Sequence, residues 1–171
     1  MSYAIEYDSI PISSSIPEFH FGKTGPVNMW VEFQTSDYQI WRGSFECGEN
    51  GVREIIDIGD NRFIIIANGK AYLIDNDLKE LIRVLDYDNI TFVHKINTNE
   101  VLIVNYLGVA IVNDKGMIKL VVEFLDLDEF VILNEDENYI LAKVLASDFQ
   151  WEERFLILDK IHWTYKIKKY L

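Results

Sequence analysis

Short apolar segments separated by polar turns run through the chain after residue 27. They are rich in β-branched and aromatic residues, which is typical of antiparallel β-sheets. Their connections are too short for parallel crossovers, so we expect an all-β antiparallel meander of neighbouring strands. The predicted strands are residues 28–34, 38–45, 52–58, 62–67, 71–75, 78–85, 91–96, 101–105, 109–113, 117–124, 130–133, 139–145, 154–159 and 162–168.

The segment Leu78–Leu85 carries two conflicting signals. Its apolar residues have helical spacing, and Asp77 with Glu80 matches a capping box. The segment also aligns with Met117–Phe124, whose run of leucine and two valines prefers a strand. We therefore predict a strand at Leu78–Leu85.

A weak internal repeat underlies that alignment. KAYLIDNDLKELIRVLDYDNITFV and GVAIVNDKGMIKLVVEFLDLDEFV share one pattern, and RFLILDKIHWTYKIKK is a shorter copy. Asp75 then corresponds to Asn113, and Asp86 to Asp126, at a spacing of about forty residues. Such a period, with three or four strands in each unit, predicts propeller-like blades or a similar stack of sheets.

The stretch NGKAYLIDNDLKELIRVL resembles the blade motif of pyrroloquinoline-quinone-type β-propellers, and GVAIVNDKGMIKLVV is a weaker copy. The resemblance covers about half of the chain and implies architecture only. Ile82 replaces the tryptophan usual after Glu-Leu, and a full quinone-binding propeller is larger than 171 residues, so no cofactor is implied. The matching residues are Gly69, Lys70, Tyr72, Asp75, Lys79, Glu80 and Leu81.

The start of the chain differs from the rest. Pro11, Pro17 and Pro26 are its three prolines, and proline cannot donate a hydrogen bond inside a sheet. We expect an irregular or edge-lying N-terminal arm over residues 1–27, followed by one β-repeat domain over residues 28–171.

Charge excludes one class of partner. The net charge of −12 disfavours naked nucleic acid, because affinity for phosphate depends on lysine and arginine. Lys160, Lys166, Lys168 and Lys169 form a basic C-terminal segment, which either neutralises acids of this chain or docks an acidic partner.

Chemical motifs are sparse. Cys47 is the single cysteine, and the histidines lack metal-ligand spacing, so we assign no catalytic, cofactor-binding or metal residue. The sequence shows no secretory signal and no membrane span, so a cytoplasmic location is expected.

Pairs of acids recur between the apolar segments. In a stacked meander such residues satisfy backbone groups where the chain crosses from one unit to the next. Equivalent crossings lie at the same end of the body, so the acids are also expected to form one negative face. The residues concerned are Asp57, Asp60, Asp86, Asp88, Asp126 and Asp128.

A longer connection interrupts the repeat at Ser147–Phe155 and contains Trp151, Glu152 and Glu153. Exposed tryptophan is a preferred anchor of binding surfaces. With Asp86, Asp88, Asp126 and Asp128, these residues are our candidate protein-binding site.

The function expected is a non-enzymatic module that binds a basic protein. Small acidic proteins of this kind are similar to immunity proteins that neutralise bacterial toxins. Two alternatives remain open: a partial propeller that self-associates through exposed first and last strands, and a small-ligand-binding, carbohydrate-binding or hydrolytic β domain.

Overall fold

A computed structural model describes residues 3–7 and 15–170. Within these residues the protein is all-β, and its one helical segment is a turn of 3-10 helix at Ser147–Phe149. The strands are β1 Tyr3–Tyr7, β2 Glu18–Phe21, β3 Met29–Gln34, β4 Ile40–Phe45, β5 Glu54–Asp57, β6 Arg62–Ala67, β7 Lys70–Asp75, β8 Glu80–Val84, β9 Phe92–Lys95, β10 Glu100–Asn105, β11 Gly108–Asn113, β12 Ile118–Glu123, β13 Leu127–Glu135, β14 Tyr139–Ala146, β15 Glu153–Asp159 and β16 Thr164–Lys168.

The strands form four sheets of four strands. Sheet 1 has the order β1-β3-β4-β2, and sheets 2, 3 and 4 are the meanders β5–β8, β9–β12 and β13–β16. Pairing is antiparallel, except that β2 runs parallel to β4. The predicted antiparallel meander of repeated units is confirmed for sheets 2, 3 and 4.

Local turn chemistry sets the register of these meanders. Asn68 and Gly69 have φ angles of 51° and 86°, so both adopt the left-handed conformation required by a two-residue hairpin turn. A Cβ at Gly69 would lie 2.0 Å from the carbonyl oxygen of Asn50, so only glycine fits there. Residues 80–84 form strand β8, which confirms the prediction of a strand at Leu78–Leu85.

Parts of the N-terminal arm form edge strands. Residues 3–7 and 18–21 form β1 and β2, the two outer strands of sheet 1, as the edge-lying interpretation expected, whereas an irregular course is wrong for these residues; Pro11 lies outside the described residues. Pro17 and Pro26 sit outside the strands, and the carbonyl of Pro17 accepts a hydrogen bond from the Arg42 amide. Pro17 and Pro26 therefore interrupt this segment without preventing its pairing.

Each sheet packs on the next one along the chain, and three apolar clusters fill the spaces between them. The central strands of sheets 2 and 3 are consequently buried on both faces, while sheets 1 and 4 each have an outer face. Between sheets 1 and 2 lie Phe21, Met29, Val31, Phe33, Trp41, Phe45, Phe63, Ile65, Ala67, Tyr72 and Ile74. Between sheets 2 and 3 lie Ile56, Ile58, Ile64, Ile66, Ala71, Leu73, Leu85, Ile90, Val101, Ile103, Ala110 and Val112. Between sheets 3 and 4 lie Leu102, Val104, Val109, Ile111, Val121, Val122, Phe124, Leu127, Phe130, Ile140, Ala142, Val144, Ala146, Leu156 and Leu158.

The two ends of this stack differ. At one end, the crossing end, residues 85–91 pass from sheet 2 to sheet 3 and residues 124–126 pass from sheet 3 to sheet 4. At the other, the hairpin end, side-chain oxygens accept hydrogen bonds from backbone amides two to four residues ahead, which stabilises each turn. These acceptors are Asp57, Asp75, Asn97, Asn113, Asp136 and Asp159.

A buried polar bridge joins sheets 1 and 2. The Trp41 indole donates to Asn76 Oδ1 at 2.8 Å, and Asn76 Nδ2 donates to the carbonyl of Gln34 at 2.7 Å. Because Asn76 and Trp41 are fully buried, neither group has water as a substitute partner.

Replacing Asn76 tests this bridge. Asn76→Ala leaves the buried Trp41 indole N–H without an acceptor and removes the donor to the Gln34 carbonyl. We therefore expect the free energy of unfolding to fall by about 3 kcal/mol in urea denaturation. The control Asn99→Ala changes an exposed turn residue and is expected to cost less than about 0.5 kcal/mol. Equal losses in the two variants would contradict the bridge.

Acid sensitivity tests the hairpin end. Amides of Asn138 and Tyr139 donate to Asp136 at 2.7 and 2.8 Å and lower the pKa of its carboxyl. A lowered pKa in the folded state stabilises the fold above the unfolded pKa, and this stabilisation disappears as pH falls through the folded value. Asp136→Asn keeps the acceptor without titrating, so its unfolding free energy should decline less on acidification than that of the wild type. Identical pH profiles would show that Asp136 does not contribute.

Candidate functional site

A groove opens at the crossing end, between the connection from sheet 2 to sheet 3 and the connection from sheet 3 to sheet 4. Its volume is about 500 Å³. Acidic and leucine side chains dominate its lining, so it combines negative charge with apolar surface. The lining residues are Asp86, Tyr87, Asp88, Asn105, Leu107, Leu120, Glu123, Phe124, Leu125 and Asp148.

Buried residues on either side hold the first connection in place. Leu85 and Ile90 are buried in the core between sheets 2 and 3, so Asp86 and Asp88 between them are directed to solvent. The Tyr87 hydroxyl donates to the carbonyl of Gly108 at 2.8 Å, which ties the connection to sheet 3. Burial raises the pKa of Tyr87, so this hydroxyl stays protonated.

The second connection is anchored in the same way. Phe124 and Leu127 are buried, and their amides donate to the carbonyls of Leu107 and Tyr106 at 2.8 and 2.7 Å. The Leu125 amide between them donates to Asp148 Oδ2 at 2.7 Å. These bonds leave the Leu125 side chain 76% exposed at the edge of the groove.

The acids of the groove are not neutralised by the protein. Within residues 3–7 and 15–170, the carboxylates of Asp86, Asp88 and Glu123 form no ion pair and accept no hydrogen bond. Asp148 accepts one from a backbone amide. A cationic group entering the groove therefore meets acids that no arginine or lysine has already paired.

The apolar component lies beside these charges. Leu107, Leu120 and Leu125 are exposed, and all three border the groove. An arrangement of this kind can hold a segment that presents positive charges around an apolar side chain.

The structure brings some of the predicted site residues together and separates others. Asp86 and Asp88 line the groove, whereas Asp126, in the second connection, and Asp128, in β13, lie at the same end outside its lining. The prediction for Asp57 and Asp60 was wrong, because both belong to the β5–β6 hairpin at the opposite end. Asp57 does bond a backbone amide there, that of Gly59.

The two candidate acids of the longer connection before β15 were expected to be available to a partner, but both form ion pairs within the protein. Glu152 pairs with Arg154 at 2.8 Å and with Lys169 at 3.1 Å, and Glu153 pairs with Lys143 at 3.2 Å. The hydrogen bond from Arg154 lowers the pKa of Glu152. Trp151 is exposed at the crossing end, as a binding anchor requires.

Sequence reasoning missed the other half of the groove. Glu123 and Leu120 lie on the exposed face of β12, Leu125 follows in the connection, and Asp148 arrives from the long connection after β14. One sequence signal could have indicated this half of the groove. In the run EFLDLDEF, Leu125 is an apolar residue that lies between the acids Glu123 and Asp126 at a predicted crossing.

The described residues contain few other candidates. They include no group of three histidine, cysteine or acidic side chains placed to hold a metal ion. The Cys47 sulfur lies 3.1 Å from the carbonyl of Val27 and 3.7 Å from an Arg53 nitrogen. No helix in this part of the chain is long and apolar enough to cross a membrane.

Comparison of the sequence with known protein family models and with curated proteins gives no match. The groove and its chemistry are therefore the basis for assigning function.

The bond from the Leu125 amide to Asp148 provides a test of groove geometry. Asp148→Ala removes the acceptor, so exchange of the Leu125 amide should accelerate about fivefold, which corresponds to about 1 kcal/mol. Asp148→Asn keeps an acceptor oxygen and serves as the control, with exchange close to that of the wild type. Unchanged exchange in Asp148→Ala, measured by NMR, would show that the bond does not hold the connection.

Proposed function

We propose that this protein is a non-enzymatic binding protein whose acidic groove receives a basic segment of another protein. The observation that carries the proposal is that Asp86, Asp88 and Glu123, without partners in the described chain, surround exposed leucines. The acids attract a cationic partner, and the leucines provide apolar area for it to bury.

The two components of the groove act at different stages of binding. Negative charge speeds the encounter with a basic partner and is screened by salt. Burial of Leu107, Leu120 and Leu125 against an apolar side chain slows dissociation, because apolar area leaves water. Trp151 at the same end extends the surface available for contact.

The form of function that we favour is inhibition, as in immunity proteins that neutralise basic toxins. A net charge of −12 complements a strongly basic target. The two connections that line the groove are anchored by buried residues at each end, so the surface is organised before binding and little ordering entropy is lost.

A lysine- and leucine-rich peptide is a suitable probe for the groove. The triple variant Asp86→Asn, Asp88→Asn, Glu123→Gln should weaken its binding at least about tenfold, since several ion pairs are lost together. The control Asp60→Asn, Asp114→Asn, Glu137→Gln changes net charge equally at the hairpin end and should have an effect below about threefold. Binding is measured by fluorescence anisotropy.

Two results would overturn the proposal. Equal weakening in both triple variants would mean that the peptide responds to net charge alone. If addition of the peptide changes the NMR chemical shifts at both ends of the stack, the peptide likewise responds to net charge alone.

A biological partner is sought by capture from native cells at low salt. The rate at which this partner associates with the groove variant must be at least about tenfold lower than its rate with the control variant.

A further inference from the structure

The groove continues in both directions along the crossing end. A hollow of about 380 Å³ lies at the connection from sheet 1 to sheet 2, residues 46–53, and shares Asp88 with the groove. Another hollow, of about 360 Å³, lies at the long connection before β15 and shares Asp148 with the groove. Because each hollow meets the groove at a shared side chain, the three form one channel that passes the connections between all four sheets.

Hydrogen bonds between neighbouring connections hold this channel in one shape. The Val52 amide donates to the carbonyl of Ile90 at 3.0 Å, and the Ile90 amide donates to the carbonyl of Gly69 at 3.0 Å. The side-chain amide of Asn105 donates to the carbonyl of Asp88 at 3.0 Å. The backbone under the channel is therefore organised before a ligand arrives, so binding requires little ordering of the protein.

Unpaired acids occur at three successive connections along the channel. Glu49 is exposed in the connection from sheet 1 to sheet 2. Asp86 and Asp88 lie in the connection from sheet 2 to sheet 3, and Glu123 ends β12 immediately before the connection from sheet 3 to sheet 4. Among the residues that the structure describes, none of these four carboxylates forms an ion pair or accepts a hydrogen bond.

The cations that line the channel are already paired. Lys70, beside the connection from sheet 1 to sheet 2, pairs with Glu46 at 2.7 Å. At the far end, Arg154 and Lys169 both pair with Glu152, at 2.8 and 3.1 Å. The hollow at that end is lined by as many cations as acids, so the negative part of the channel covers the three connections between sheets and ends there.

The stacking of the sheets sets the distance between these acids. Stacked sheets lie about 10 Å apart, so each connection places its acids about 10 Å from those of the next. We infer that the basic segment received by the groove binds in an extended conformation, with a lysine or arginine at every third residue, one for each connection. This inference rests on the function proposed above and specifies the partner.

An extended backbone matches the step between connections. A polyproline II segment has three residues per turn and rises about 3.1 Å per residue, so every third side chain points the same way and recurs after about 9 Å. Along a β-strand, side chains on one side recur after about 7 Å, which is out of step with the sheets. Three cations at the longer spacing span roughly seven residues. Apolar side chains between the cations then contact Leu107, Leu120 and Leu125.

A helical segment fits this channel less well. An α-helix rises about 1.5 Å per residue, so cations about 10 Å apart on one face must be seven residues apart, and three of them need about 15 residues. Isolated helices of that length are marginal in water, and their ordering would oppose binding. Unfolded chains already populate polyproline II, so a disordered basic segment needs less ordering to bind in that form.

Two peptides of identical composition test the spacing. One carries lysines at its first, fourth and seventh positions with leucine and serine between them, and the other carries its three lysines side by side. We expect the spaced peptide to bind at least about tenfold more tightly in calorimetric titration at low salt, because only its lysines reach all three connections. Equal affinities would overturn the inference and leave the groove proposal standing. Tighter binding by a peptide with one lysine at every seventh residue would assign a helix instead.

Paired substitutions in protein and peptide test the order of the contacts. Glu49→Gln should weaken binding of the spaced peptide about threefold, and this loss should disappear when one particular terminal lysine of the peptide is replaced by glutamine. Glu123→Gln should couple in the same way to the opposite terminal lysine. The control Glu137→Gln changes an exposed acid at the hairpin end and should leave the affinity unchanged.

Two further outcomes separate this inference from the function on which it rests. Coupling of Glu49 and Glu123 to the same lysine, or to all three lysines equally, would overturn the ordered arrangement while the groove remains the binding site. Absence of binding by every basic peptide would overturn the proposed function itself.

Discussion

Burial of the central strands of sheets 2 and 3 on both faces is the constraint from which the rest of the structure follows. Strands β6, β7, β10 and β11 are almost entirely buried, and they hold the apolar layers on either side. Because their faces are occupied, connections between sheets must run over the ends of the strands. The surfaces left for binding are therefore the two ends of the stack, the edge strands of the sheets and the outer faces of sheets 1 and 4.

The same residue types have different roles at the two ends. At the hairpin end, side chains such as Asp136 and Asp159 are used locally, since they accept hydrogen bonds from amides of their own turns. At the crossing end, buried apolar residues such as Leu85 and Ile90 hold the backbone instead. Asp86 and Asp88 are consequently released from a structural role, which leaves their charge for an external partner.

The sequence predicted the repeat and the strands of sheets 2, 3 and 4, because their pairing is local and their turns have strong signals such as Asn68-Gly69. It did not predict β1 and β2 as strands. β2 pairs directly with β4 in parallel although β3 lies between them in the sequence, and no short-range pattern encodes that contact. Asp86 and Asp88 were predicted to lie at a crossing because acid pairs recur between the apolar segments, and both line the groove there. Asp57 was misplaced, since aspartate pairs occur both in hairpins and at crossings, and Asp148 was missed because stacking alone brings it to Leu125.

The buried centre also determines where an unfolded chain is most prone to aggregation. Residues 63–67, FIIIA, form an apolar β-rich segment without proline or charge, and such segments pair readily with copies of themselves. Arg62 and Lys70 lie on either side of this segment and its turn, where a positive charge opposes stacking of identical strands. In the folded protein they pair with Asp75 and Glu46, respectively. The two cations thus act in both states, as ion-pair partners in the native sheet and as gatekeepers against cross-β assembly when it opens.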